Sequence, residues 1–161
     1  MKIRSAIALV GASLVATTAL SADIAVIHRE ITVNQSAQLV WSHVGGYCAI
    51  AEWLQVTCSH TAGEGRVGSV RLLNNAIVEV MVAQTPLSYT YHQTVGNMAA
   101  YGYHGTLAVE STDGGNQSRI IYTLVYDQES MPQDKRDSER ARLQGRFQTA
   151  IETMKTIAER R

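Results

Sequence analysis

The C-terminal part of the chain has the clearest periodicity of apolar and polar positions. Apolar residues recur there at the spacing of one helical face: Leu143, Phe147, Ala150, Ile151, Met154, Ile157 and Ala158. This i, i+3, i+4, i+7 pattern predicts one long amphipathic helix from Asp134 to Arg161, just after Pro132. Arginines such as Arg142 and Arg146 alternate with acidic residues on its other faces, which we expect to be solvated.

Most of the preceding chain has the alternation of a strand. Ile27, Ile31 and Val33 fall on one side of a first strand, Ile24 to Val33, with polar residues on the other. Five later strands are separated by short turn signals such as Asn74-Asn75. They are Val67 to Leu73, Ala76 to Gln84, Ser88 to Val95, Tyr101 to Glu110 and Ser118 to Asp127. Val56 to His60 is a candidate edge strand, so we expect six or seven strands.

Two short helices are predicted after the first strand. Asn34 to Ser36 caps the first, and Gly45-Gly46 ends it. Tyr47 to Leu54 has the composition of the second. This order predicts an α+β fold, in which a curved antiparallel sheet closes around the long C-terminal helix.

The first 22 residues have the pattern of a secretory signal peptide. Lys2 and Arg4 precede an apolar run from Ile7 to Ala19, and the small residues at 19–22 form a cleavage zone. The apolar run is shorter than the roughly 20 residues that span a bilayer. We therefore expect a periplasmic or secreted protein without an integral membrane span after cleavage, and a single domain at residues 23–161.

Composition narrows the classes of partner. The chain has 161 residues, 45% of them hydrophobic, which is enough for one buried core. Lys plus Arg number 14 and Asp plus Glu number 14, so net charge does not indicate a nucleic acid or an anionic membrane as a partner. The sequence identifies no protein partner.

The two cysteines, Cys48 and Cys58, both lie in the predicted mature domain. An oxidising compartment would allow them to form a disulfide that closes a short loop. The alternative is a pair of buried thiols that pack as small apolar groups. A metal site is the least favoured interpretation, because a structural zinc requires two further ligands.

Four stretches, in their order along the chain, carry a family resemblance. They are Val67-Gly68-Ser69-Val70-Arg71, Val78-Glu79-Val80, Ser88-Tyr89-Thr90-Tyr91 and Tyr101 to Leu107. Together with the long C-terminal helix they resemble the SRPBCC superfamily of START-like, birch-pollen-allergen-like helix-grip proteins, in particular its polyketide cyclase/dehydrase and lipid-transport branch. The resemblance covers about residues 27 to 159. It implies a seven-stranded sheet gripping the last helix, with a large apolar cavity between them.

The resemblance also implies which side chains face that cavity: Glu79, Tyr91, Tyr103 and Tyr122. Two positions depart from the related plant abscisic acid receptors. Val56 stands where those receptors hold a ligand carboxylate with lysine, and Asn74-Asn75 replaces their proline-containing gate. A carboxylate hormone and a lid-and-phosphatase mechanism are therefore not implied.

Glu79 interrupts the apolar strand Ile77 to Val82. A carboxylate on the cavity face would have a raised pKa and would suit acid or base chemistry. The alternative is an inert ion pair with Arg71 on the adjacent strand. The tyrosines have two interpretations as well, because they could line a pocket or stabilise a half-exposed sheet as cross-strand pairs.

Tyr47 and Trp53 fall where the cavity mouth is expected, so they are candidate ligand contacts, although packing of the short helices is the favoured interpretation for Trp53. His92 and His104 lie on neighbouring predicted strands without further ligands at a suitable spacing. We therefore predict no metal and no cofactor.

These features favour a protein that binds or carries a small hydrophobic molecule, aromatic, polyketide-like or lipid. An alternative is a cofactor-independent cyclase, dehydratase or lyase, in which Glu79 transfers protons and Tyr91 or Tyr103 donates a hydrogen bond. A third is a module that binds another protein in the envelope. These hypotheses depend largely on fold-level analogy.

Overall fold

The computed structural model describes residues 23–160, and the predicted signal peptide lies outside the described residues. The seven strands are β1 Ile24–Val33, β2 Cys58–Ala62, β3 Val70–Leu73, β4 Ile77–Thr85, β5 Ser88–Val95, β6 His104–Thr112 and β7 Gln117–Asp127. The three α-helices are α1 Ala37–Val44, α2 Ile50–Trp53 and α3 Gln133–Glu159. None of these helices is both long and apolar enough to cross a membrane.

All seven strands form one antiparallel sheet in the order β1-β7-β6-β5-β4-β3-β2. Register shifts in β4, between Val78 and Glu79 and between Met81 and Ala83, are irregularities of the kind that bend and twist a strand. The sheet curves around α3, so the predicted α+β helix-grip fold is confirmed.

The apolar face of α3 is the one that the sequence predicts. All seven apolar residues named above are buried, and α3 contacts β1, β7, α1 and α2. Polar contacts then fasten the end of the helix to the first strand. Lys155 Nζ donates to the Thr32 carbonyl at 2.7 Å, and the backbone N–H of Asn34 donates to Glu159 Oε1 at 2.9 Å. The long helix is thus fixed against the sheet by apolar packing along its length and by hydrogen bonds at its end.

The first short helix follows its predicted start and stop signals, whereas the second is shorter than predicted. Ser36 caps α1, where its hydroxyl oxygen accepts from the Leu39 N–H at 3.4 Å, and Gly45 ends the helix. Helix α2 is a single turn, shorter than the predicted Tyr47 to Leu54. The structure contains the Cys48–Cys58 disulfide, with the two Cα atoms 5.5 Å apart, and it links the segment before α2 to β2.

Three strands begin two or three residues later than the sequence predicts. In two of them a glycine within the predicted strand has positive φ, Gly68 (89°) and Gly102 (58°), whereas Gln55 (56°) lies just before the predicted edge strand. This left-handed backbone is incompatible with a continuing strand. Tyr101 therefore lies in a short 3-10 helix at Ala99–Tyr101 and not in β6, so its predicted place on a strand is wrong. The Asn74-Asn75 turn is confirmed, since both residues have positive φ as a type I′ hairpin requires.

Gly105 of β6 lies directly beneath the Tyr91 side chain of β5. A Cβ atom at this position would be 2.3 Å from the Tyr91 hydroxyl oxygen, whereas one at Gly145 in α3 would meet nothing within 4 Å. We expect Gly105→Ala to lower the free energy of unfolding by about 1–3 kcal/mol because the core is overpacked. Gly145→Ala should raise it by up to about 1 kcal/mol. Urea denaturation measures both, and equal effects of the two substitutions would contradict the packing described.

Candidate ligand-binding cavity

A cavity of about 210 Å³ lies between α3, α2 and the sheet, and we call it the inner cavity. Its apolar wall includes Ile50, Leu54, Leu73, Ile77, Leu143 and Phe147. These residues belong to α2 and its C-terminal end, to β3 and β4, and to α3 itself. The cavity therefore exists because α3 and the concave sheet cover each other incompletely.

Part of the polar wall of the inner cavity comes from three neighbouring strand segments. Glu79 of β4, Gln93 of β5 and Tyr103, just before β6, all line it, together with Tyr91 of β5. Glu79 and Gln93 face each other in the register of β4 and β5. Half of the lining residues are apolar and the rest are polar or tyrosine, so this wall is more polar than that of a usual small-molecule site.

Glu79 is held by Arg71, its register partner on β3. Arg71 Nε donates to Glu79 Oε2 at 2.8 Å, and Nη2 lies 2.7 Å from the same oxygen as an ion-pair contact without good hydrogen-bond direction. Arg71 is 0% exposed and Glu79 is 3% exposed. The sequence left open whether Glu79 faces the cavity or pairs with Arg71. In the structure its side chain does both.

Aromatic rings surround the Arg71 guanidinium. Its Cζ atom lies 4.3 Å from the ring centroid of Tyr47, 4.8 Å from that of Tyr91 and 5.7 Å from that of Tyr89. These distances are within the range of cation–π attraction. Arg71 Nη1 also donates to the Tyr47 carbonyl, and the Tyr47 hydroxyl donates to the Glu79 carbonyl at 3.1 Å. The buried charge therefore has a counter-ion, hydrogen-bond acceptors and aromatic faces.

Burial dominates the electrostatics of the acidic groups. It raises the pKa of the Glu79 carboxyl, and the Arg71 guanidinium opposes that shift. Burial also raises the pKa values of the Tyr91 and Tyr122 hydroxyls well above the ordinary tyrosine value, and it raises that of Tyr103. The phenols are thus neutral at physiological pH. One of the Tyr91 and Tyr122 hydroxyls donates to the other.

The remaining predicted ligand contacts lie outside the inner cavity wall. The Tyr122 hydroxyl is 3.0 Å from that of Tyr91, so it lies behind the wall. Tyr47 is buried against Arg71. Trp53 Nε1 donates to the Val44 carbonyl at 3.3 Å. Contact of these three residues with a ligand stays a prediction.

A second depression, which we call the outer groove, lies between α2 and α3 and has a volume of about 380 Å³. It is lined by Trp53, Leu54, Gln55, Arg146, Thr149, Ala150 and Thr153. Leu54 and Arg146 line the inner cavity as well. These two side chains therefore stand where the inner cavity and the outer groove meet.

Sequence reasoning missed the part that α3 contributes to this site. Arg142 and Arg146 are exposed, as the sequence predicts for a solvated helix face, but they also line the inner cavity. Met98, in the loop after β5, also lines it. The one sequence signal for a role of Arg146 in the cavity is its position next to Phe147 of the buried face. Helical periodicity, however, does not show which edge of the helix borders a cavity.

His92 and His104 are direct register partners on β5 and β6. Their rings are stacked, with centroids 4.5 Å apart, and burial and the neighbouring imidazole lower the pKa of His92. Within residues 23–160, no three or more His, Cys, Asp or Glu side chains are grouped so that they could hold a metal ion.

Known proteins resemble this chain in family and in fold. The family model described as polyketide cyclase / dehydrase and lipid transport matches residues 25–159. A solution structure from Thermobifida fusca superposes with a TM-score of 0.69 at 18% identity, covering 81% of this chain and 90% of that one. A protein from Nitrosospira multiformis gives 0.66 at 17% identity, covering 82% and 94%. The crystal structure of Ara h 8.0201 gives 0.64 at 15% identity, covering 84% and 97%. No curated protein sequence matches the chain.

The ion pair between Arg71 and Glu79 can be tested through the free energy of unfolding. Arg71→Met leaves the Glu79 carboxylate without its counter-ion, and we expect it to lower the free energy of unfolding by about 3–5 kcal/mol. The double variant Arg71→Met/Glu79→Leu removes both charges and should recover most of that loss. Urea denaturation measures both variants. A double variant as unstable as Arg71→Met alone would contradict the pairing.

Proposed function

The chain belongs to the polyketide cyclase/dehydrase and lipid transport family, and from that premise we propose that it binds or carries a small hydrophobic molecule in the inner cavity. Aromatic and polyketide-like molecules and lipids are the candidate classes. The observation that carries this proposal is the inner cavity itself, which combines an apolar wall with the phenols of Tyr91 and Tyr103. Each phenol offers apolar area and one hydroxyl that can orient a ligand.

The volume limits the size of the ligand. Ligand pockets commonly measure roughly 300–1,000 Å³, and the inner cavity measures about 210 Å³. In this conformation the inner cavity encloses a small ring system or one part of a longer molecule. A long lipid would have to extend past Leu54 into the outer groove.

The ion pair of Glu79 favours binding over acid/base catalysis. A general base must reach the proton that it abstracts. Glu79 Oε2 is engaged by two nitrogen atoms of Arg71, which leaves only Oε1 for that role. The alternative function, a cofactor-independent cyclase, dehydratase or lyase, would need this carboxylate to act while paired or to leave Arg71. Leaving would strand a buried guanidinium at a cost of several kcal/mol.

We also propose that the domain acts after export, in the periplasm or outside the cell. The Cys48–Cys58 disulfide supports this, because such bonds persist in oxidising compartments. In protein isolated from its own cells, we expect N-terminal sequencing to find cleavage near residues 19–23, and thiol titration after unfolding without reductant to find no free thiol. An intact N-terminus together with two free thiols would refute export.

Blocking the inner cavity should abolish binding. Val56 is half-buried on the inner cavity wall, and Val82 is exposed on the outer face of β4, so Val56→Trp and Val82→Trp form a matched pair. N-phenylnaphthylamine is a neutral probe whose fluorescence rises in apolar surroundings. We expect Val56→Trp to weaken its binding at least about tenfold, equivalent to ~1.4 kcal/mol, and Val82→Trp to leave it unchanged.

Thermal unfolding of both variants serves as the control for folding. Equal binding by the Val56→Trp protein and the unsubstituted protein would contradict the proposed site, as would an equal loss in the two variants.

A further inference from the structure

The inner cavity wall carries one positive charge that no described residue compensates. The charged residues that line the inner cavity are Glu79, Arg142 and Arg146. Glu79 is paired with Arg71, and both Arg142 Nε and Nη2 donate to the Glu139 carboxylate. Arg146 has no ion pair and no side-chain hydrogen bond with any residue from 23 to 160.

Arg146 lies where a charge can contact a ligand in the inner cavity. Arg146 lies on α3 one residue before Phe147, which is buried and lines the inner cavity. Its side chain also lines the outer groove with Thr149 and Thr153. Arg146 is itself an exposed residue, so its guanidinium stands where the inner cavity meets water.

The field of Arg146 also reaches into the cavity. Burial raises the pKa of the Tyr103 hydroxyl, while Arg142 and Arg146 act in the opposite direction by favouring a negative charge there. The Thr149 and Thr153 hydroxyls donate to helix carbonyls, at 3.3 and 2.9 Å. Among the groove residues on α3, Arg146 is thus the group equipped to bind an anion.

We propose that the ligand is an amphipathic organic acid, with its apolar body in the inner cavity and its anionic group on Arg146. This inference rests on the proposed function and deepens it. A guanidinium binds a carboxylate or sulfonate through two parallel N–H donors, which fixes the orientation of the ligand as well as its charge. The acidic group would remain near water at the outer groove, so its desolvation cost would be small.

The test uses two probes that differ by one charged group. Anilinonaphthalene sulfonate carries a sulfonate that N-phenylnaphthylamine lacks. We expect Arg146→Gln to weaken binding of the sulfonate about three- to tenfold more than it weakens binding of the neutral probe, as for a partly exposed ion pair. Arg66→Gln is the matched control, because Arg66 is exposed in the loop between β2 and β3 and lines neither depression.

Arg66→Gln should leave both affinities unchanged, Arg146→Lys should restore part of the sulfonate affinity, and added salt should shrink the effect of Arg146→Gln. If Arg146→Gln weakens both probes equally or neither, this inference is overturned while the proposed function stands. If the unsubstituted protein binds neither probe, the proposed function fails and this inference fails with it.

Discussion

The apolar face of α3 has to be buried away from water, and this requirement explains the architecture of the domain. The helix has 27 residues, so about 40 Å of its length needs partners. A flat sheet would touch only a strip of this surface. The bent, seven-stranded sheet and the two short helices cover it from several sides. The inner cavity is the space left where this cover is incomplete.

The buried charge of Arg71 is the second constraint, and it explains the polar part of the site. Taking a guanidinium out of water costs several kcal/mol unless other groups replace its hydration. The replacements come from Glu79, the Tyr47 carbonyl and three tyrosine rings. The same contacts place Tyr91 and Glu79 on the cavity wall, so the groups that stabilise the charge also shape the binding surface.

The sequence was most informative where one residue pattern decides one element. The seven apolar positions of α3 and the bounds of β1 and β5 are confirmed, because periodicity directly determines which face is buried. Strand starts were wrong where a single positive φ, as at Gly68, ends the extended backbone. Neither propensity nor alternation reports such local geometry reliably.

Some residues of the candidate site could be predicted from the sequence and others could not. Strand alternation and the family resemblance place Glu79, Tyr91 and Tyr103 on the concave side, and all three lie on the wall of the inner cavity. The position of Arg146 at the boundary of two depressions depends on how α2 is placed against α3, which the disulfide and the turn at Gln55 influence. That relation between distant segments has no signature in the helical pattern.

The central claim is that a small hydrophobic molecule binds between α3 and the sheet. Isotope-filtered NOE spectroscopy of the N-phenylnaphthylamine complex tests it most directly. We expect contacts from the probe protons to the side chains of Ile77, Met98 and Leu143, which line the inner cavity. Contacts confined to the exposed outer side chains Val82 and Val95 would contradict it.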